Sequence, residues 1–479
     1  MVPALLILSF LLVHLADEFA GDAGSSAGRP WLVIGSTWGV MTMLWLIAHL
    51  TALAGARMVD RGRFEWARRV ELVITGSRIL AITSLGVALL WFGLLDAVRE
   101  VVPRFAAVDR AAAVLPLWLL IAGGWASQYE IDRRIREALF YRSVQSGRPM
   151  EPIEPKARYL WLQIRHQLLM WAVPLCLISG AGQAMQDALA ARPSFVGWLG
   201  PIGTNALQLF GSLAMFLVTP VLVRRIWRTT ELGEGELRER IITVCRAHRV
   251  RVRGPFVWRT GASVLNAAVL GLVYPARYLV FTDALLETLT PRQLEAVTAH
   301  EVAHLRLLHM LWLGIVAFAA IWVASLGVTA AFAAAAALFG TARLPNPDGV
   351  WFQGVLTLVV FAAAGVAFCF ASRRFEWQAD AFAAKHLSSG GDSAAAGVLV
   401  TTEAASAVAG ALTSVAYYNG ISEDRFQWRH GSIADRRRRV LSLVGLPAER
   451  LPIDRASAVI RWTSVAALVG VGAIALYQG

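Results

Sequence analysis

Charge is scarce in this sequence. Only 16% of its 479 residues are Asp, Glu, Lys or Arg, against about 25% in an ordinary soluble domain. That deficit argues against a conventional soluble chain. Lysine is nearly missing: Lys156 and Lys385 are the only two, so arginine carries the net charge of +12. Cysteine is rare as well. Cys176, Cys245 and Cys369 form no CxxC pair, and two of them lie in apolar stretches. A disulfide framework or a cysteine-based metal site is thereby disfavoured, and core packing is their default role. Basic residues interleaved with aromatics on a soluble segment are also lacking. The positive charge therefore reads as topogenic charge in loops, not as a nucleic-acid surface. No internal repeat is present.

What the chain has in abundance is apolar sequence, 57% of all residues. It recurs in stretches near the roughly 20 residues that a bilayer-spanning helix needs. A helix satisfies its own backbone hydrogen bonds, so lipid tolerates it. Candidate spans are 2–15, 31–56, 79–97, 111–127, 162–184, 196–222, 310–339, 350–372 and 458–477. The first is short enough for a signal-peptide core, but it lacks a basic leader and a good cleavage site, so a retained helix is preferred. The Ala-rich stretch 329–338 reads as membrane helix.

Arginine counts in the short loops orient these spans. Loop 57–78 carries six arginines, and loop 128–158 carries six plus Lys156. Loops 185–195 and 340–349 carry one each, Arg192 and Arg343. The alternation places the N-terminus, 223–309 and 373–457 in the cytoplasm. Arg165 and His166, at the edge of the fifth span, fit either a polar path in the membrane or a snorkelling helix end.

Segments 223–309 and 373–457 are the long polar regions. The first opens with a charged helical pattern at 231–240. Strand-like runs follow at Val250–Arg253, Ser263–Gly271 and Arg277–Thr282, with β-branched and aromatic residues bounded by Gly and Pro. The second segment looks helical. The expected organisation is a six-span N-terminal membrane domain over 1–222, an α+β domain over 223–457 interrupted by the hairpin 310–339 and 350–372, and a last span within 458–479.

The chemistry-bearing residues lie in that α+β region. Thr290, Pro291 and Gln293 make a capping box with proline at the first helical position. The helix they open contains His300-Glu301-Val302-Ala303-His304. Histidines four apart share one helix face, and two imidazoles so placed can bind one Zn²⁺. Glu301 is rotated about 100° from His300, where it reaches a metal-activated water without ligating. The alternative is a helix with two surface histidines and a glutamate. His309, nine residues past His300, falls on roughly the opposite face of a continuous helix and is excluded as a ligand. His14, His49, His166, His248 and His386 show no paired spacing and read as packed or interfacial.

A second motif, Ser372-Arg-Arg-Phe-Glu376-Trp-Gln-Ala-Asp380, follows the eighth span. Because spans seven and eight form a hairpin, residue 376 returns to the membrane face that residue 304 left. Glu376 is then the candidate third ligand, leaving one position for water as a catalytic zinc site requires. Asp380, one turn on, can hold the far nitrogen of a ligating histidine. The alternative is a solvated helix that pairs these acids with Arg373 or Arg374.

These motifs, in this order, resemble the membrane metalloprotease family that includes the CAAX prenyl proteases and the heat-shock protease HtpX. Leu289–His304 and Ser372–Asp380 carry the resemblance, with Asn266-Ala267, Gly271 and the Tyr278–Leu286 segment. It implies a mainly α, polytopic membrane protein with a small zincin-like α+β domain at the cytoplasmic face. It implies one zinc ion on His300, His304 and Glu376, with Glu301 as general base. Asn266, Ala267 and Gly271 would lie on an edge strand that pairs with an extended polypeptide substrate. The family's His-Pro pair and following arginine correspond to His430 and Arg436, with Gly431 in place of the proline. By that match His430 would stabilise an oxyanion and Arg436 would contact substrate; otherwise His430 is a histidine in a basic juxtamembrane segment.

The expected activity is zinc endopeptidase action on membrane-associated or unfolded polypeptides at the cell membrane, in quality control or precursor processing. A sensor protease that cleaves a repressor would normally carry an extracellular ligand-binding domain, and no outward loop is long enough. An inactive scaffold is disfavoured by the intact His300, Glu301, His304 and Glu376. A transporter would show paired broken helices in two halves, and none is evident.

Overall fold

In a computed structural model the chain is mostly helical and separates into two compact units, Met1–Ile226 and Trp227–Gly479. The structure describes residues 2–18, 29–102, 107–144, 155–260, 264–340, 346, 349–390, 397–449 and 451–478. Part of the second basic loop, the start of the run at Ser263 and Arg343 lie outside the described residues.

The first unit is a helical bundle. Its helices are α1 (Val2–Glu18), α2 (Pro30–Asp60), α3 (Glu65–Leu90), α4 (Leu94–Arg99), α5 (Val108–Val144), α6 (Lys156–Gln163), α7 (Met170–Ala190) and α8 (Pro193–Ile226). A π-helical turn, Ile164–Leu169, joins α6 to α7. Leu6, Leu85, Leu89, Leu117 and Ile121 form the buried core.

Two expectations shift here. The span expected at 79–97 is α3, which begins at Glu65 and ends at Leu90. Arg68, Arg69 and Arg78 are therefore helical rather than in a loop, and Arg78 is buried beside Gly124. Long arginine stems allow apolar flanks to stay helical around them. Arg165 does not snorkel. It is buried and its guanidinium donates to the Ile226 carbonyl at the end of α8, an orphan acceptor of that helix terminus.

The second unit mixes a sheet with helices. Strands β1 (Thr230–Glu231), β2 (Arg253–Trp258), β3 (Ala267–Leu270) and β4 (Tyr278–Thr282) form one sheet in the order β1-β2-β4-β3. β2 runs parallel to β4, and β3 antiparallel to it. Every residue of β4 is buried, as the apolar run Tyr-Leu-Val-Phe demands. β3 is left at an edge. The expected strand at Val250–Arg253 forms later, at Arg253–Trp258. Val250 instead packs into the core behind α9 (Glu236–Ala247), after Arg249 turns at φ 55°.

The remaining helices are α10 (Asp283–Thr288), α11 (Pro291–Arg306), α12 (His309–Phe339), α13 (Val350–Ser388), α14 (Thr402–Tyr418), α15 (Ile433–Leu441) and α16 (Pro452–Gln478). The core of this unit joins Ile241, Leu279, Phe281, Leu294, Val302 and Leu387 across the sheet, α9, α11 and α13. α11 lies against β3, α13 and α14.

Among the described residues eight helices are long and apolar enough to cross a membrane. α1 is apolar but has 17 residues, about 26 Å of helix against a hydrocarbon core of about 30 Å. The protein is a multi-pass membrane protein with a small sheet in its C-terminal half.

Candidate metal centre

α11 starts where the capping box sets it. The Thr290 hydroxyl accepts from the Gln293 amide, and the Gln293 side chain accepts from the Thr290 amide. The helix runs to Arg306, and His300 and His304 share one face of it. Their Nε2 atoms are 3.2 Å apart. α13 brings Glu376 to the same point: Oε2 lies 3.6 Å from His300 Nε2, and Oε1 lies 3.9 Å from His304 Nε2. Among the described residues these three side chains are the group able to converge on a metal ion, with ligand atoms all within 4.8 Å of one another.

The donor set fits a small divalent cation. A tetrahedron with bonds of about 2.0–2.1 Å has edges of about 3.3 Å; the 3.2 Å between the imidazoles matches that, and the 3.6 and 3.9 Å to the two Glu376 oxygens are somewhat longer. Charge points the same way. Glu301, Glu376 and Asp380 face one another with Arg436 as the buried guanidinium among them, so carboxylates exceed cationic side chains. Burial lowers the His300 pKa, but hydrogen bonds to Asp380 and Glu376 outweigh it and carry it to about 10; surroundings that favour positive charge on His300 favour a cation at its Nε2. Burial brings His304 down to about 4, which keeps that imidazole neutral, as a ligand must be. Burial also pushes the Glu301 carboxyl up from its ordinary value, toward the range useful to a proton acceptor at neutral pH.

The surrounding side chains are tied to the centre. Asp380 Oδ1 is 2.9 Å from His300 Nδ1, so it accepts from the far side of that ring. Arg436 donates to both oxygens of Asp380, at 2.8 and 2.7 Å, and its NH1 is 3.3 Å from Glu376 Oε2. Arg436 thus braces the two acids, in addition to lining the cleft. His430 Nδ1 is 2.9 Å from Glu376 Oε1, and its side chain is 39% exposed. The Ser432 cap of α15 and the bridge between Gln427 and Gly431 hold this loop in place.

A cleft of about 740 Å³ opens over the centre. Asn266, Ala267 and Val269 line one side, and Val408, Leu412 and Tyr418 of α14 another. Gly271 is not among the lining residues. It ends β3 at φ +89°, where a Cβ would sit 2.0 Å from the Ala276 carbonyl oxygen; its part in this fold is a turn that no other residue can make without a shift.

Two features had no signal in residue spacing. His309 is absent from the converging group, but it is not remote from it. Leu308 adopts left-handed dihedrals (φ 55°, ψ 38°) between α11 and α12, and His309 Nδ1 comes to 3.1 Å from His304 Nδ1. Separately, His248 and His386, 138 positions apart, are buried with Nε2 and Nδ1 2.9 Å from each other.

Residues 232–430 match Peptidase family M48. The chain also aligns with the crystal structure of S. mikatae Ste24p over 92% of its own length and 98% of that chain, at 15% identity and a TM-score of 0.44. No curated protein sequence matches. The matched region holds both histidines, Glu301, Glu376, Asp380 and His430, and it sits in a chain of membrane-spanning helices. The region similar to peptidase family M48 thus coincides with the residues that build the candidate metal centre, in a chain whose long apolar helices make it a multi-pass membrane protein.

Proposed function

We propose that the protein is a zinc-dependent endopeptidase that cleaves membrane-associated or unfolded polypeptides. The convergence of two imidazoles and one carboxylate, with the half-buried Glu301 beside them, supports this reading most directly. His300, His304 and Glu376 hold the ion. Zinc supplies a Lewis acid that makes water nucleophilic near neutral pH.

Glu301 accepts a proton from the attacking water and later delivers it to the leaving amine, which lets one carboxyl serve both halves of the reaction. Asp380 fixes the His300 ring, so that its Nε2 lone pair faces the centre. His430, half-exposed at the cleft, donates to the developing oxyanion. The free edge of β3, from Ala267, pairs with an extended substrate and holds its scissile bond straight; Asn266, whose backbone is bonded to Thr282, lines the cleft at the start of that strand. The arginine bias between successive spans supports a catalytic domain on the cytoplasmic side of the cell membrane. An inactive scaffold is the competing reading, and the same experiment separates the two.

Purified Glu301→Gln should retain zinc by elemental analysis and lose casein cleavage. His304→Ala should lose zinc as well as cleavage, and a chelator should silence the wild type. Full zinc content in His304→Ala, or undiminished cleavage by Glu301→Gln, would refute the assignment.

A further inference from the structure

We infer that His309 is a positioning residue for the metal centre, and that Gln378, Asp454 and Arg461 complete a relay tying His304 to the C-terminal helix. The inference rests on the ligand roles proposed above and deepens them.

The proton polarity of the chain is self-consistent. His304 turns Nε2 to the centre, so Nδ1 carries its proton and donates to His309 Nδ1 at 3.1 Å. His309 then holds its own proton on Nε2, which donates to Gln378 Oε1 at 3.1 Å. The orientation of the Gln378 amide follows from its other neighbours. Arg461 can only donate, and it meets Oε1 at 3.1 Å. The Asp454 carboxylate accepts from Nε2 at 2.6 Å. Exchanging the ends of the amide would set donor against donor at Arg461 and acceptor against acceptor at Asp454. A fixed amide fixes the His309 tautomer, and a fixed tautomer leaves His309 Nδ1 as an acceptor for His304.

The surroundings lock the ring in place. His309 is fully buried and stacks on Phe375 at 4.7 Å and 3°. Leu308 bears the backbone cost. A left-handed non-glycine residue is unfavourable and persists where its surroundings over-determine it. Without that turn, His309 would point away from His304. The two ligating histidines are thus supported differently, His300 by a carboxylate and His304 by a neutral imidazole. Outer partners of metal-bound histidines set both ring orientation and ligand basicity.

Zinc affinity of the full-length protein, read by competition with a chelator, tests the relay. His309→Leu keeps most of the side-chain bulk and removes the acceptor; its Kd for zinc should rise about 10–100-fold. His309→Asn restores an acceptor near the Nδ1 position, and its Kd should stay within about threefold of wild type. The visible spectrum of the Co²⁺-substituted protein should change with leucine and return toward wild type with asparagine. A purely structural role predicts the reverse order, since leucine suits a buried site better. Equal zinc affinity in wild type and His309→Leu overturns the relay, as does an asparagine variant no better than leucine. If His309→Leu does not fold, Gln378→Met leaves His309 in place but frees it; an unchanged Kd there overturns the relay too. A wild-type protein that binds no zinc would instead refute the proposed function itself.

Discussion

Buried imidazoles behave in two ways in this protein. At the centre, carboxylates oppose the effect of burial on His300. At His248 nothing does: burial, with His386, Arg306 and Lys385 nearby, brings it down to about 4. His248 is therefore neutral in the fold and protonates near 6.5 once unfolded. Its contribution to stability is complete above pH 6.5 and is lost as pH falls toward 4, because the unfolded chain binds the extra proton. The loss should amount to roughly 2 kcal/mol. Thermal unfolding of detergent-purified protein at pH 7.5 and 5 should show a drop in Tm that shrinks in His248→Gln; an equal drop in both would assign the acid sensitivity elsewhere. The histidines also mark what a sequence can disclose. His300 and His304 were legible because four residues is the period of a helix face. His309 was not, since its position depends on one dihedral pair at Leu308. His248 and His386 meet only because the residue that follows α9 packs against Phe382 and His386 of α13.

At the scale of elements, local chemistry was readable where it is local. The capping box of α11 and the buried run of β4 formed as their residues dictate. β2 was misplaced because Gly254-Pro255 reads as a terminator. The strand instead absorbs both through a register shift between Arg253 and Pro255. Proline is tolerated at such an irregularity. The turn after β3 is the most demanding local geometry near the cleft. Gly271→Ala would drive a Cβ against backbone, which cannot yield as a flexible side chain can. The cost should be at least about 1–2 kcal/mol from the left-handed φ alone. It should appear as a lower Tm together with reduced peptide cleavage, because β3 is the edge proposed to take the substrate. An unaltered Tm would mean that the turn relaxes without harm.

The whole molecule was legible in its class because membrane helices announce themselves by length and apolarity. Their boundaries were less so, since arginines such as Arg68 and Arg69 sit on a helix rather than ending one. Orientation stands as a prediction at this scale. A single cysteine at Ser422, in a background lacking Cys176, Cys245 and Cys369, should react with an impermeant maleimide in inverted vesicles and not in intact cells. Labelling in intact cells would place the catalytic domain on the other face.

α13 is one unbroken helix of 39 residues, about 58 Å long, while the hydrocarbon core is about 30 Å thick. Its lower part lies in lipid and its upper part carries Glu376 and Asp380. Such a rod acts as a lever. A few degrees of tilt in the apolar half displaces the carboxylates at the far end by ångströms. Membrane thickness and lateral pressure therefore have a mechanical route to the proposed third ligand that bypasses the cleft.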